Sequence, residues 1–266
     1  MSSAVESVRP LAGKVALVTG SCIGLGAAIA ERLAADGARV VVTGYPAERG
    51  QALASKLPNK AVFIPADFRS AEETSALARR AIELCGGVDI LVNNAAVSTR
   101  ATLDQVSPEL FDTQFHIIVR APLLLTQAAL PSLRARKGVV INIASVNAAI
   151  GWPDLIVYSA AKGALVTASR NMANAFQHAR VRVYCLNPGW IDTEGERNLM
   201  SKLGHPPDFL DREGEKFPLG RLMKPEEVAE VVGFFASGKA AAFSGAVVEL
   251  EQFPLGCLHP PMEKDS

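Results

Sequence analysis

The chain has 266 residues, 49% of them apolar and 20% charged, and its 27 basic and 27 acidic residues leave a formal net charge of zero. That length supports one sizeable core, and the balanced charge argues against a nucleic-acid footprint or an anionic membrane surface as partner. The cysteines (Cys22, Cys85, Cys185, Cys257) are widely spaced and the histidines show no ligand spacing, so neither a disulfide framework nor a metal site is expected, and reduced thiols in a cytoplasmic protein fit best. Residues 1–10 are polar and read as a flexible start without an apolar signal core, and no uninterrupted apolar run reaches the ~18 residues of a membrane span.

Short apolar runs then alternate with longer helical patterns. Residues 14–19 read as a buried strand, 24–36 as a helix ended by Gly37, 39–43 as a second strand and 47–57 as a second helix. A strand at 61–65, a helix at 71–85 and a strand at 89–92 follow. A long helical stretch at 108–133 carries Pro122 as an expected irregularity. Then come a strand at 138–143, a helix at 158–177, a strand at 181–186, a helix at 225–237 with proline in its first turn, and a last strand at 246–250. Strands that are apolar throughout are buried on both faces, as in a parallel sheet. The alternation therefore predicts a single α/β domain built on a doubly wound parallel sheet. Residues 191–217 are polar and poorly periodic, and are expected to form a substrate-side lid.

Two constellations carry chemistry. Thr19-Gly-Ser-Cys-Ile-Gly-Leu-Gly26 follows the first strand and opens the first helix. Glycines at 20, 24 and 26 permit a tight turn and close approach to a pyrophosphate, which the free N–H groups of the helix start would bind. Tyr158 and Lys162 lie one above the other on a helix face. An ammonium beside a phenol favours phenolate, and a shift of about three units would correspond to about 4 kcal/mol. Such a tyrosine can exchange a proton with an alcohol near neutral pH.

Together, Thr19-Gly-x-x-x-Gly-x-Gly26, Asn93-Asn-Ala-Ala96, Ser145, Tyr158-x-x-x-Lys162 and Asn187-Pro-Gly189 resemble the short-chain dehydrogenase/reductase family over residues 11–250. The resemblance implies a Rossmann fold and an NAD(P)-dependent oxidoreductase that interconverts an alcohol and a carbonyl on a small substrate. It implies that Ser145 holds the substrate oxygen, Tyr158 passes the proton, and Lys162 binds ribose and lowers the tyrosine pKa. It places the cofactor against Gly20, Cys22, Ile23, Gly24, Gly26, Tyr45, Asp67, Phe68, Asn94, Ala95, Ala96, Pro188, Gly189, Ile191 and Thr193. The substrate wall expected beside them comprises Val97, Ser98, Val146, Asn147, Trp152 and Trp190, a mix suited to a sugar, a polyol or another small oxo compound. For Asp67 a helix N-cap is the alternative reading.

Thr43-Gly44-Tyr45 at the end of the second strand carries no carboxylate to repel a 2′-phosphate, which tips the expectation slightly from NAD to NADP; Arg49 is within sequence reach, although a solvated helix position is its simpler reading. Two departures from the family pattern stand out. Ile118 replaces an asparagine that supports the proton relay, so a nucleotide-binding protein with weak catalysis is one alternative. Glu249-Leu-Glu-Gln-Phe replaces Asp-Gly-Gly near the C-terminus. A reductase of carrier-bound 3-oxoacyl chains is a further alternative, with Arg100, Arg134 and Arg136 as its candidate basic patch. The family also implies a homodimer or homotetramer formed through the helices at 103–133 and 158–177.

Overall fold

The computed structural model describes residues 9–253 and residue 255; Cys257 and most of the N-terminal segment lie outside them. Seven strands form one parallel sheet in the order β3-β2-β1-β4-β5-β6-β7. They are β1 (Val15–Val18), β2 (Arg39–Val42), β3 (Val62–Phe63), β4 (Ile90–Asn93), β5 (Val139–Ile143), β6 (Arg182–Pro188) and β7 (Val247–Leu250). β1, β4 and β5 are buried at every position, because helices cover both faces and β-branched side chains pack there. The helices are α1 (Gly24–Ala35), α2 (Ala47–Lys56), α3 (Ala71–Cys85), α4 (Pro108–Phe115), α5 (Ala121–Arg136), α6 (Ile156–Phe176), α7 (Glu194–Lys202), α8 (Phe209–Gly214) and α9 (Pro225–Ala236). On one face Ile29, Leu33 and Val232 of α1 and α9 pack with Val40, Val92 and Tyr184 of the sheet. On the other, Leu77, Leu125 and Leu133 of α3 and α5 pack with Leu17, Leu91 and Val140. The chain reverses its direction of winding between β1 and β4, which puts a crevice at the C-terminal ends of those strands.

The expected elements recur with shifted ends, an irregularity beside Pro122 as expected, and one difference of substance in the lid. The long helix is interrupted by a π turn over His116–Arg120. Pro122 carries no N–H, so the carbonyls of Ile118 and Ile117, four and five residues before it, lack its donation. By length and composition the run Pro108–Arg136 would also cross a bilayer, but here Leu125, Ala129 and Leu133 serve as core. The lid segment is not a plain loop. α7 and α8 arise within it and share a small core of Met200, Leu210 and Leu222, flanked by Trp190, Phe209 and Phe217. Its apolar residues are too few and too spread out to announce two helices by periodicity.

Gln252, at the altered C-terminus, fastens this lid. Its amide accepts from Leu219 N–H at 2.9 Å and donates to the Arg221 carbonyl at 2.8 Å, while Phe253 packs on Phe217 at 5.3 Å between ring centroids. Glycines at these positions would make neither contact. Gln252→Ala is therefore expected to speed amide hydrogen exchange in residues 217–222 about tenfold while leaving β1 and β4 unaffected; exchange mass spectrometry reads this directly.

Candidate active site

The C-terminal ends of β1, β4, β5 and β6 deliver the candidate residues. Thr19 ends β1 and works as a brace: its hydroxyl donates to the Val92 carbonyl and accepts from the N–H groups of Asn94 and Ala95 at 2.9 and 3.0 Å. The Asn94 amide donates to the carbonyls of Thr19 and Gly20, so this side chain holds the glycine-rich turn in place. Gly26 packs so closely under the turn that a Cβ there would lie 2.1 Å from the Gly20 carbonyl oxygen. Gly20 and Gly24 have φ of 63° and 56°, the left-handed region that glycine adopts without strain.

Ile23, at the N-cap of α1, offers no side-chain acceptor, whereas Ser70, Ser107 and Thr193 cap α3, α4 and α7 with their hydroxyls. The first N–H groups of α1 are thus left for an external anion, which fits a dinucleotide pyrophosphate. Cys22 is buried, and its thiol is pushed up to about 11 by burial. The Phe68 ring lies in the second core cluster. Asp67 does not cap α3; it grips the Arg69 guanidinium at 2.6 Å, and Ser70 is the cap. Its carboxyl is held below its ordinary value by that hydrogen bond. Tyr45 is 84% exposed at the rim.

Ser145 leaves β5 in extended conformation; its hydroxyl accepts from the Asn147 N–H at 3.2 Å and is near enough to the Tyr158 phenol to favour phenolate. Tyr158 and Lys162 stand one turn apart on α6, with the Lys162 ammonium 5.5 Å from the centre of the Tyr158 ring. Lys162 is 2% exposed, and its Nζ donates to the Ile143 carbonyl at 2.7 Å. An ammonium has three donors, so two remain for the hydroxyls of a ribose. Phenol and ammonium differ from expectation in one respect. Burial pushes Tyr158 up to about 12, opposed by the Ser145 hydrogen bond and aided by the Glu196 charge. Burial also pushes Lys162 down to about 8. In the chain by itself the phenol is not shifted toward phenolate, because desolvation dominates. Ile118 packs beside them with Ala144, Ala161 and Leu165.

The remaining expected residues fall as follows. Pro188 and Gly189 end β6, and Gly189 is hydrogen-bonded to the Leu250 carbonyl. A Cβ on Gly189 would collide with the Glu251 carboxylate, whose pKa burial raises. Ile191 bridges to Met223. Ser98 and Asn147 are half-buried, Ala96 is exposed, and Trp152 is 53% exposed. Trp190 belongs to the lid core and donates its indole N–H to Glu196 at 2.9 Å. The three arginines form no basic patch at the cleft. Arg100 is paired with Asp154 at 3.0 Å, whereas Arg134 and Arg136 end α5 at the opposite edge of the sheet, where Arg136 holds Asp89 and the Gly86 carbonyl. Among the described residues no cluster suited to a metal ion occurs.

Sequence reasoning missed several partners. The Glu196 charge, carried on the lid, is felt at the Tyr158 phenol, and Asp154 faces Arg100. Asn93 donates to Asn142, and Asn142 to Ser169, each at 2.8 Å, tying β4 and β5 to the helix that bears Tyr158. Arg49 is not free: its guanidinium forms two bonds to Glu194, at 2.5 and 2.9 Å. No spacing pattern announces contacts between residues so distant in the chain.

A protein-family model described as "Enoyl-(Acyl carrier protein) reductase" matches residues 20–251. An uncharacterized oxidoreductase of Methylorubrum extorquens is 37% identical over 248 residues, covering 90% of this chain and 96% of the relative. Dehydrogenase/reductase SDR family member 4 of Sus scrofa is 35% identical and covers 93% of this chain and 89% of its own. Among solved structures, L-sorbose reductase from Gluconobacter frateurii, complexed with NADPH and L-sorbose, superposes with a TM-score of 0.87 at 29% identity, covering 93% of this chain and 98% of that one.

The buried lysine makes a measurable prediction. Its folded pKa lies below its unfolded value, so between about pH 8 and 10.5 the unfolded chain binds more protons and stability rises with pH. Against a Lys162→Met variant, the wild-type unfolding free energy should gain on the order of 3 kcal/mol across that window. Denaturant titrations at stepped pH test this, and parallel curves would contradict it.

Proposed function

The chain belongs to the short-chain dehydrogenase/reductase family, and from that membership we propose that it is an NAD(P)-dependent oxidoreductase interconverting a secondary alcohol and a carbonyl. The observation that carries the reading is the placing of Ser145 and Tyr158 together at the sheet edge, the serine hydroxyl acting on the phenol, beside a buried Lys162 with spare donors. In this reading the two hydroxyls hold the substrate oxygen, and Tyr158 supplies or takes the proton. The bound nicotinamide supplies the hydride chemistry. The uncapped start of α1 would hold its pyrophosphate, and Lys162 its ribose. A phenol pushed upward is an acid near neutral pH, which suits the carbonyl-reducing direction. Ile118 brings no side-chain acceptor to the relay, and the acceptor that Lys162 has is the Ile143 carbonyl. The solved structure with NADPH and L-sorbose supports a nicotinamide cofactor and a small hydroxylated or oxo substrate. Phe111 and Leu123, both exposed apolar residues on α4 and α5, support assembly into a dimer or tetramer.

Tyr158→Phe should lower kcat by about 10²–10⁴ while leaving dinucleotide affinity within about threefold. Absorbance at 340 nm with carbonyl substrates tests the first part and nucleotide fluorescence the second; near-normal turnover would refute the assignment.

For the choice of cofactor, the supporting observation is Arg49. It stands on α2, just past a β2 end that lacks a carboxylate, and its partner Glu194 opens α7. Both groups are more than half exposed, so the pair is weak and exchangeable. A 2′-phosphate offers the guanidinium the same bidentate geometry as the carboxylate it would replace. Glu194→Gln should then tighten NADPH about three- to tenfold, and Arg49→Gln should weaken it about tenfold. Neither should move NADH affinity by more than about twofold. Equal effects on both nucleotides would count against the NADP preference.

A further inference from the structure

A second set of charged groups lies at the C-terminal edge of the sheet, assembled from the segments that follow β4, β5 and β6. Arg100 follows β4, Asp154 precedes α6, and Glu196 lies on α7. Arg100 donates through Nη1 to both Asp154 oxygens, at 3.2 and 3.0 Å. Its Nη2 lies 4.0 Å from Glu196 Oε1. Its Nε is buried and has no hydrogen-bond partner. Glu196 is fixed by the Trp190 indole at 2.9 Å through that same oxygen. Arg100 and Glu196 side chains are only 21% and 20% exposed, and the Glu196 charge is felt at the Tyr158 phenol. A charge-assisted hydrogen bond between guanidinium and carboxylate would be about 2.7–2.9 Å long. The 4.0 Å separation is too wide for one, yet it admits a single oxygen atom in hydrogen-bond contact with both groups.

We propose that Arg100 and Glu196 form a donor–acceptor couple that selects neutral, polyhydroxylated substrates by receiving one hydroxyl between them. A hydroxyl both donates and accepts, so it can replace water between the two groups and satisfy both at once. A carboxylate in this position would meet two acidic groups, Glu196 and Asp154, against the single guanidinium of Arg100. A plain alkyl ketone would strip water from both groups and leave them unpaired, and sites built to bind a substrate hydroxyl reject the analogue that lacks it. This inference rests on Tyr158 being the proton donor at the same cleft.

The test compares a ketohexose, fructose or sorbose, with 2-hexanone as substrates for reduction by the full-length protein and NADPH. Wild type should favour the better ketohexose by at least about a hundredfold in kcat/KM. Glu196→Gln keeps an oxygen for the Trp190 N–H, so the local fold has reason to persist. The variant should bring the preference to within about tenfold by lowering the ketohexose value, with 2-hexanone changed less than about threefold. Loss of the negative charge should also move the tyrosine-controlled limb of the pH–rate profile to lower pH, which a merely structural role would not do. A wild type that prefers 2-hexanone overturns the couple while leaving the oxidoreductase reading intact. So does a variant that loses both substrates equally, or one whose pH profile is unmoved. A protein that binds NADPH but reduces neither these nor any other carbonyl removes the functional reading, and the couple with it.

Discussion

The structure around the candidate site depends on an ammonium with almost no access to water. Lys162 is kept in place by the last carbonyl of β5, by the ring of Tyr158 and by the apolar wall of Ile118, Ala161 and Leu165. Its depressed pKa expresses the cost of its burial. Nothing local to α6 would hold a lysine there. It requires β5 to end at Ile143 and α6 to lie across that end, and these in turn require the whole parallel sheet. The hydroxyl pair of Ser145 and Tyr158 depends on the same crossing of strand and helix.

The polar groups beneath the cleft serve that crossing. Asn93, Asn142 and Ser169 form a chain of side-chain hydrogen bonds through an otherwise apolar layer. Buried amides without partners are destabilising, so each fixes the register of its neighbour. Thr19 and Asn94 do the same for the glycine-rich turn and fasten β1 to β4. Rigid support of this kind lets the turn keep left-handed glycines and an uncapped helix start, both unfavourable in isolation but open to a ligand.

The departures from the family pattern coincide with local changes of structure. Where an asparagine side chain is missing at 118, a π turn runs over His116–Arg120. Where two glycines are missing near the C-terminus, Gln252 and Phe253 bind the lid instead. The lid thereby has its own small core and a fixed attachment, and within it the Trp190 indole holds Glu196.

The order of strands and helices was written in the sequence, because burial on both faces of a parallel strand demands an unbroken apolar run and a covering helix demands its own period. The glycine-rich turn and the Tyr158–Lys162 pair were legible for the same reason: each is local, and its chemistry follows from spacing along one element. Tertiary structure alone decided the rest. It set the direction of the Tyr158 shift, because desolvation depends on what surrounds the phenol and not on the lysine one turn away. It gave Arg49 to Glu194, Arg100 to Asp154 and the Asp67 carboxylate to Arg69. It also made helices of a lid whose apolar residues show no period. Such pairings depend on where separate strand ends meet in space, and a linear pattern carries no record of that distance.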